Sequence, residues 1–200
     1  QEGHIAAALY SSGHLELMGE RFIAFHLSGG TTDALLVEPG EPVFTVTPAA
    51  RSLDLKAGQA VDRVGLMLGL TFPCGPGLSA LAETCHEPIK VRPTMKGADC
   101  CLSGIENQCR KLLDSGKPPA YVARYCLISI EAALEGMTKA LLERYGPLPL
   151  VYAGGVMSSS VIRPYFERKY GGYFAEPAFS SDNAAGIALL AAVSAGESVR

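Results

Sequence analysis

The stretch Arg21–Gly40, RFIAFHLSGGTTDALLVEPG, constrains the fold more than any other part of the chain. Phe22–Leu27 is apolar apart from His26, and Ala34–Val37 is apolar again. Two such runs around Ser28-Gly29-Gly30-Thr31-Thr32 predict a tight β-hairpin. The glycines permit positive φ and remove the Cβ atoms that would hold a ligand away. Their N–H groups, beside three hydroxyls, form a concavity suited to phosphate oxygens. Taken alone, such a turn is more often a plain connector, so its meaning depends on the motifs downstream of it.

The 200 residues are enough for one domain, or one and a half, with a proper core. A net charge of −3 gives no bulk attraction to nucleic acid or to an anionic membrane. Any RNA contact would need a local patch or a partner protein. No apolar run is long enough to span a bilayer, and the chain does not open on a signal-peptide pattern. The six cysteines, Cys74, Cys85, Cys100, Cys101, Cys109 and Cys126, include no CxxC pair. They read as reduced thiols, which places the protein in the cytoplasm. The chain begins at Gln1 inside a helical composition, and the expectation is a piece of a longer polypeptide.

Gln1–Ser12 predicts a helix carrying His4 on its first turn, and Pro42–Thr47 predicts a third strand that completes a meander. Ala57, Val61, Val64 and Leu68 recur at helical spacing, giving a helix over Leu53–Gly69 with Asp54 near its start. Asp62 falls mid-helix with no basic residue three or four positions away to pair with it. Phe72-Pro73-Cys74-Gly75-Pro76-Gly77 is a stiff loop, followed by a short helix over Leu78–Cys85. Pro88–Asp99 reads as irregular, with Ile89–Val91 extended, and Leu102–Leu113 as a helix. Pro118–Tyr145 is the longest helix, with Val122, Cys126, Ile130, Met137 and Leu141 on one side. Leu148–Ala153 reads as a strand buried on both faces. Gly154-Gly155 then leads through Ser158-Ser159-Ser160 into a helix, a geometry in which free N–H groups meet an anion. Asp182 begins the last helix, Ala184–Ala195, whose composition predicts burial. Its plainer reading is an N-cap.

This order of elements resembles the RNase H-like lobe of the actin-like ATPases, which hold a nucleotide between two such lobes. Several motifs make the resemblance narrower: Gln1-Glu2-Gly3-His4, Ser28-Gly29-Gly30-Thr31-Thr32, Asp54…Gly58…Asp62, Leu68-Gly69-Leu70…Pro73-Cys74-Gly75-Pro76, Ser103-Gly104, Gly154-Gly155-Val156 and Asp182-Asn183. Over essentially its whole length the chain is similar to the C-terminal part of the tRNA threonylcarbamoyladenosine transferases, long called O-sialoglycoprotein endopeptidases or glycoproteases. The resemblance implies an α/β fold with a mixed sheet: three antiparallel strands, then alternating helix and strand, with a helical insertion at about residues 73–117. Residues 1–20 would end a preceding lobe or form a linking helix, and 21–200 would form the lobe itself.

The same resemblance implies the site. His4 matches the second histidine of the family's H-x-x-x-H metal motif, and Asp182 its metal-binding aspartate. His26 stands where some members place a metal-reaching tyrosine. Leu27, Ser28, Gly29, Gly30 and Thr31 match the phosphate hairpin; Gly154 and Gly155 match its neighbouring turn. Asp62, Gly75 and Ser159 match positions on the nucleotide or on threonylcarbamoyl-adenylate. The implied cofactors are a divalent metal, zinc or iron, and ATP or threonylcarbamoyl-adenylate. The implied partners are a homologous lobe-bearing protein or a second copy, with tRNA reached through a patch or partner and no membrane contact.

Two imidazoles and a carboxylate suit such a metal, which near the hairpin would hold acyl or phosphate oxygens. There is no H-E-x-x-H to support a zinc protease. Departures from the family pattern are Thr31, Asp33, Ser79, and Ser159 in place of a nucleotide-binding asparagine. They bear on nucleotide affinity and substrate, and imply a divergent paralogue. Such a chain without its N-terminal lobe would be inactive alone. The alternatives are a non-catalytic scaffold, a small-molecule kinase of the same superfamily, and the older glycoprotease assignment.

Overall fold

The computed structural model describes residues 1–179 and 184–196. Helix α1 (Glu2–Ser12) leads to β1 (Phe22–Leu27), β2 (Thr32–Pro39) and β3 (Phe44–Arg51). Then come α2 (Ala57–Met67), α3 (Gly75–Glu83), β4 (Thr94–Lys96), β5 (Asp99–Cys101), α4 (Gly104–Asp114) and the long α5 (Pro119–Tyr145). The chain continues with β6 (Leu150–Ala153), α6 (Ile162–Tyr170), β7 (Tyr173–Phe174) and α7 (Ala184–Ser194). The main sheet runs β3-β2-β1-β6-β7, with β1, β2 and β3 antiparallel and β6 parallel to both β1 and β7. This is the RNase H-like arrangement of the actin-like ATPase lobes.

Every residue of β1 is buried because the sheet is covered on both faces. Successive side chains therefore enter opposite cores. Ile23, Phe25 and Leu27 join Leu36, Tyr152, Val64 and Ile130 on the α2–α5 side. Phe22 and Ala24 join Leu35, Val37, Val151, Ile5, Leu9 and Leu189 on the α1–α7 side. Tyr152 stacks between Phe25 and Phe174, with ring centroids at 5.3 and 4.7 Å. By parity His26 falls on the α1 side, opposite Asp33 and Ala153 in register.

Three expectations need correction. The stretch Pro88–Asp99 is not simply irregular: β4 and β5 pair as a second sheet around Gly97, whose φ of 62° makes the turn. Strands of three residues are too short for alternation to register. Helix α2 begins at Ala57 rather than Leu53, and Asp54 is spent elsewhere. Helix α7 is not buried: among its residues only Gly186 and Leu189 are, and Ile187 is 56% exposed. Its contact is one edge laid against α1, where a Cβ on Gly186 would stand 1.7 Å from the Gly3 carbonyl oxygen.

Candidate functional site

The crevice of an open α/β sheet lies beyond the carboxyl ends of its parallel strands, here β1 and β6. At the end of β1 the hairpin closes through Ser28 N–H to the Thr31 carbonyl at 2.8 Å. Ser28 Oγ accepts from Thr31 N–H at 3.0 Å and Gly30 N–H at 3.3 Å, which orders the turn as an ST motif. Gly29 and Gly30 are exposed, and nothing lies within 4 Å of where their Cβ atoms would be. The turn is thus open to a ligand at its tip. Thr32 behaves otherwise: it is buried, and its Oγ1 accepts the N–H of Ala57 at 2.8 Å, at the start of α2. Gly58 N–H donates to the Ser28 carbonyl at 3.1 Å. A Cβ on Gly58 would lie 2.6 Å from Gly29 N, so only glycine lets α2 reach the hairpin.

At the end of β6, Gly154 has φ +93°, and a Cβ there would lie 2.2 Å from the Leu27 carbonyl oxygen. Gly155 faces open space. The two glycines therefore differ: Gly154 lets the strands close on each other, while Gly155 is free for a ligand.

Asp62 lacks a basic partner on its own helix, as its spacing predicts, and has a different task. Its Oδ1 accepts the N–H of Cys74 at 2.9 Å, which fixes the loop before Gly75 and α3. Gly65 allows that close approach, since its Cβ would lie 2.3 Å from Cys74 Cβ. Two of the departures from the family pattern meet, although 80 residues apart: Ser79 and Ser159, both buried, place their Oγ atoms 2.9 Å apart.

On the other face of β1, the His4 and His26 rings lie with centroids 4.5 Å apart, tilted by 37°. Helix α1 delivers the first ring and the strand parity delivers the second. His26 is 7% exposed, and its Nδ1 has no hydrogen-bond partner. Burial and the adjacent His4 push its imidazole down to a pKa of about 4. It is neutral at pH 7 and keeps a lone pair for a metal. The donor set fits zinc or ferrous iron: imidazoles side by side, one with an unsatisfied buried nitrogen. Asp182 lies outside the described residues. Among the described residues no group of three or more His, Cys, Asp or Glu side chains comes together. No helix among them is long and apolar enough to cross a membrane.

Sequence reading passes over Asp54 as a mere helix start. Its Oδ1 accepts the N–H of Leu55 at 2.6 Å and of Leu102 at 2.7 Å, and its Oδ2 the Ser103 hydroxyl at 2.6 Å. Burial raises its pKa, but these bonds outweigh it and hold the carboxyl below the usual range. Asp54 ties the start of α4 to the segment entering α2. Asp54→Ala should cost about 2 kcal/mol by chemical denaturation and speed amide exchange at Leu102 and Ser103. The sequence signal was the Asp54…Ser103-Gly104 pair of motifs, which spacing alone does not join.

The profile of the TsaD family, tRNA N6-adenosine threonylcarbamoyltransferase, matches residues 2–189. The chain belongs to this family. Two tRNA N6-adenosine threonylcarbamoyltransferases, from two strains of Thermus thermophilus, are each 33% identical to it over 198 residues, 95% of this chain. The chain spans 58% and 57% of their lengths. In fold it is similar to component A of the (R)-2-hydroxyglutaryl-CoA dehydratase of Acidaminococcus fermentans, with a TM-score of 0.54 and 16% identity. That match covers 93% of this chain and 66% of the other, and speaks to the fold alone. The TsaD family thus accounts for nearly the whole chain, His4 and the hairpin included.

Proposed function

We propose that this chain is the metal- and nucleotide-binding lobe of a transferase that places a threonylcarbamoyl group on adenosine N6 of tRNA. The observation that carries the reading is the His4–His26 pair, ring centroids 4.5 Å apart, which sets a histidine of α1 against one on the strand that ends in the open hairpin. His4 and His26 would hold the metal, with Asp182 as the third ligand. Gly186, four residues beyond Asp182, is pressed against Gly3, next to His4. A divalent ion bound there supplies Lewis acidity toward acyl and phosphate oxygens.

The rest is work for the chain's own groups. Leu27, Ser28, Gly29, Gly30 and Thr31 present the hairpin backbone to phosphate, joined by Gly155 across the Gly154 contact. Asp62, Gly75 and Ser159 would meet the nucleoside end. Holding the acyl-adenylate there would leave adenosine N6 to attack the carbamoyl carbon with the adenylate phosphate departing, a gain from orientation rather than from a protein nucleophile. The tRNA would be met through a local patch or a partner, either a homologous lobe-bearing protein or a second copy, in the cytoplasm.

The full-length protein tests this directly. Zinc or ferrous iron should bind with one equivalent per chain by metal analysis after dialysis. His4→Ala and His26→Ala should each lower that affinity at least a hundredfold with folding preserved by circular dichroism. Calorimetry should show binding of ATP and threonylcarbamoyl-adenylate. Retained metal in both variants would end the reading. A non-catalytic scaffold is the second reading, favoured by the Ser79–Ser159 contact, which turns two side chains of the crevice toward each other. It requires that neither ATP nor threonylcarbamoyl-adenylate bind.

A further inference from the structure

The cations of this chain are unevenly placed. Between residues 86 and 117 six Lys and Arg face four Asp and Glu, although the whole chain has 17 against 20. Three of those four carboxylates are engaged: Glu87 with Lys117, Glu106 with Arg63, and Asp99 Oδ1 with the Arg51 N–H at 2.8 Å. Lys90, Arg92, Lys96 and Lys111 are exposed, and among the described residues none of them has a carboxylate within ion-pair distance. Burial alternates along the first three: Ile89, Val91 and Met95 are half-buried, while Lys90, Arg92 and Lys96 face solvent. A strand rises about 3.3 Å per residue, so Lys90 and Lys96 stand up to about 20 Å apart. One small anion cannot meet both. A chain of phosphates can.

A cavity of about 200 Å³ opens beside this row. Arg92 and Thr94 form one wall, Gly104 and Gln108 of α4 a second, and Tyr125 and Ser129 of α5 the third. Lys111 follows Gln108 by three residues on the same stripe of α4. At about 30 Å³ per water the cavity holds the volume of about seven waters, which suits one planar base rather than a whole nucleotide. An aromatic ring with polar side chains around it is what an unstacked base meets in a single-stranded RNA site. The cavity is separate from the crevice but fastened near it. Ser52 N–H donates to the Thr32 carbonyl at the base of the β1–β2 hairpin, and Ser52 bridges to Cys100 of β5. Two strand spacings, about 10 Å, therefore separate β5 from that hairpin. Asp54 then holds the N–H groups of Leu102 and Ser103, just before Gly104.

We infer that this cavity and its row of cations bind single-stranded RNA, with phosphates on Lys90, Arg92, Lys96 and Lys111 and one unstacked base beside Tyr125. The inference rests on the tRNA-modification reading above, and it supplies the local patch that a chain of net charge −3 needs. The occupant is a loop rather than a stem, because a paired base must leave its stack before it can enter such a cavity.

The test is fluorescence anisotropy of a labelled RNA stem-loop against the full-length, metal-loaded protein, with metal and ATP binding measured in parallel. The stem-loop should bind at least about tenfold tighter than a blunt RNA duplex of the same length. Log K should fall against log salt with a slope of about −3, the value for four phosphate contacts on a single strand. Arg92→Ala and Lys96→Ala should each weaken binding about fivefold and make the slope shallower by about 0.7. Thr94→Phe, which puts a ring into the mouth of the cavity, should weaken binding about tenfold and leave the slope unchanged. All three variants should bind metal and ATP as the unaltered protein does. An unmoved slope in both cation variants, or an unmoved affinity in Thr94→Phe, overturns the inference. So does displacement of the stem-loop by an equal concentration of AMP or inorganic phosphate, which would mark a small-anion site. Absence of RNA binding while metal and ATP still bind ends this inference and leaves the metal and nucleotide reading in place. Absence of all three removes both.

Discussion

Gly154→Ala should destabilise the protein by about 4 kcal/mol or prevent its folding, whereas Gly155→Ala next to it should cost less than about 1 kcal/mol. The contrast follows from geometry. At Gly154 a Cβ meets the Leu27 carbonyl oxygen at 2.2 Å, its carbon at 2.7 Å and the Leu27 nitrogen at 3.0 Å, all main chain of β1. No side chain can swing aside to relieve the contact. The φ of +93° adds strain for any L residue. Gly155 meets nothing within 4 Å and has no positive φ. Urea denaturation of the two variants measures the difference, and equal stabilities would mean that β1 and β6 do not meet as described.

In the metal-free protein, stability should be nearly flat between pH 4.5 and 6.5, because a buried group and a half-buried one oppose each other. His26 is pushed down to about 4 from an ordinary 6.5. Its neutral form is favoured by folding, so its contribution is complete above pH 6.5 and lost as pH falls toward 4. Glu131 on α5 is pushed up to about 7 by burial and by neighbouring Glu135, against the pull of Arg124, Arg168 and Lys169. Its protonated form is favoured, so its contribution is complete below about pH 4.5 and lost as pH rises through 7. Allowing for partial solvent screening, each is worth about 2 kcal/mol across the window. Glu131→Gln should therefore reveal a stability that climbs with pH, and His26→Asn one that declines. Glu135, held at about 2 despite burial by its bonds to Lys139 and Lys169, titrates below this range. Denaturation at four pH values in the presence of chelator reads all three slopes.

The strands were legible where burial is two-sided and the run exceeds a few residues. Phe22–Leu27 and Leu148–Ala153 declare themselves through unbroken apolar character. Thr94–Lys96 and Asp99–Cys101 do not, since their pairing depends on Ser52 and Leu53 receiving β5 alongside them. Apolar composition misled for α7: alanines satisfy a helix without requiring cover, so Ala188 and Ala191 stay open to solvent. The hairpin and the His4–His26 pair were readable through motif order, and the parity of β1 even fixes the face. The Asp54 clamp, the Asp62 bond to Cys74 and the Ser79–Ser159 contact were not. Each is a polar side chain meeting a partner 12 to 80 positions away, and no local pattern encodes that distance.

The two glycine contacts of α2 have a mechanical consequence. A rigid rod welded at Gly58 to one lip of the cleft and at Gly65 to the other allows no hinge between them. If a guest moves the bend that grips it, the Cys74 side must travel along as one body. Any clamping motion is thus left to the opposite jaw, formed by Gly155–Ser158 and α6, and the Ser79–Ser159 contact is what that jaw would have to slip.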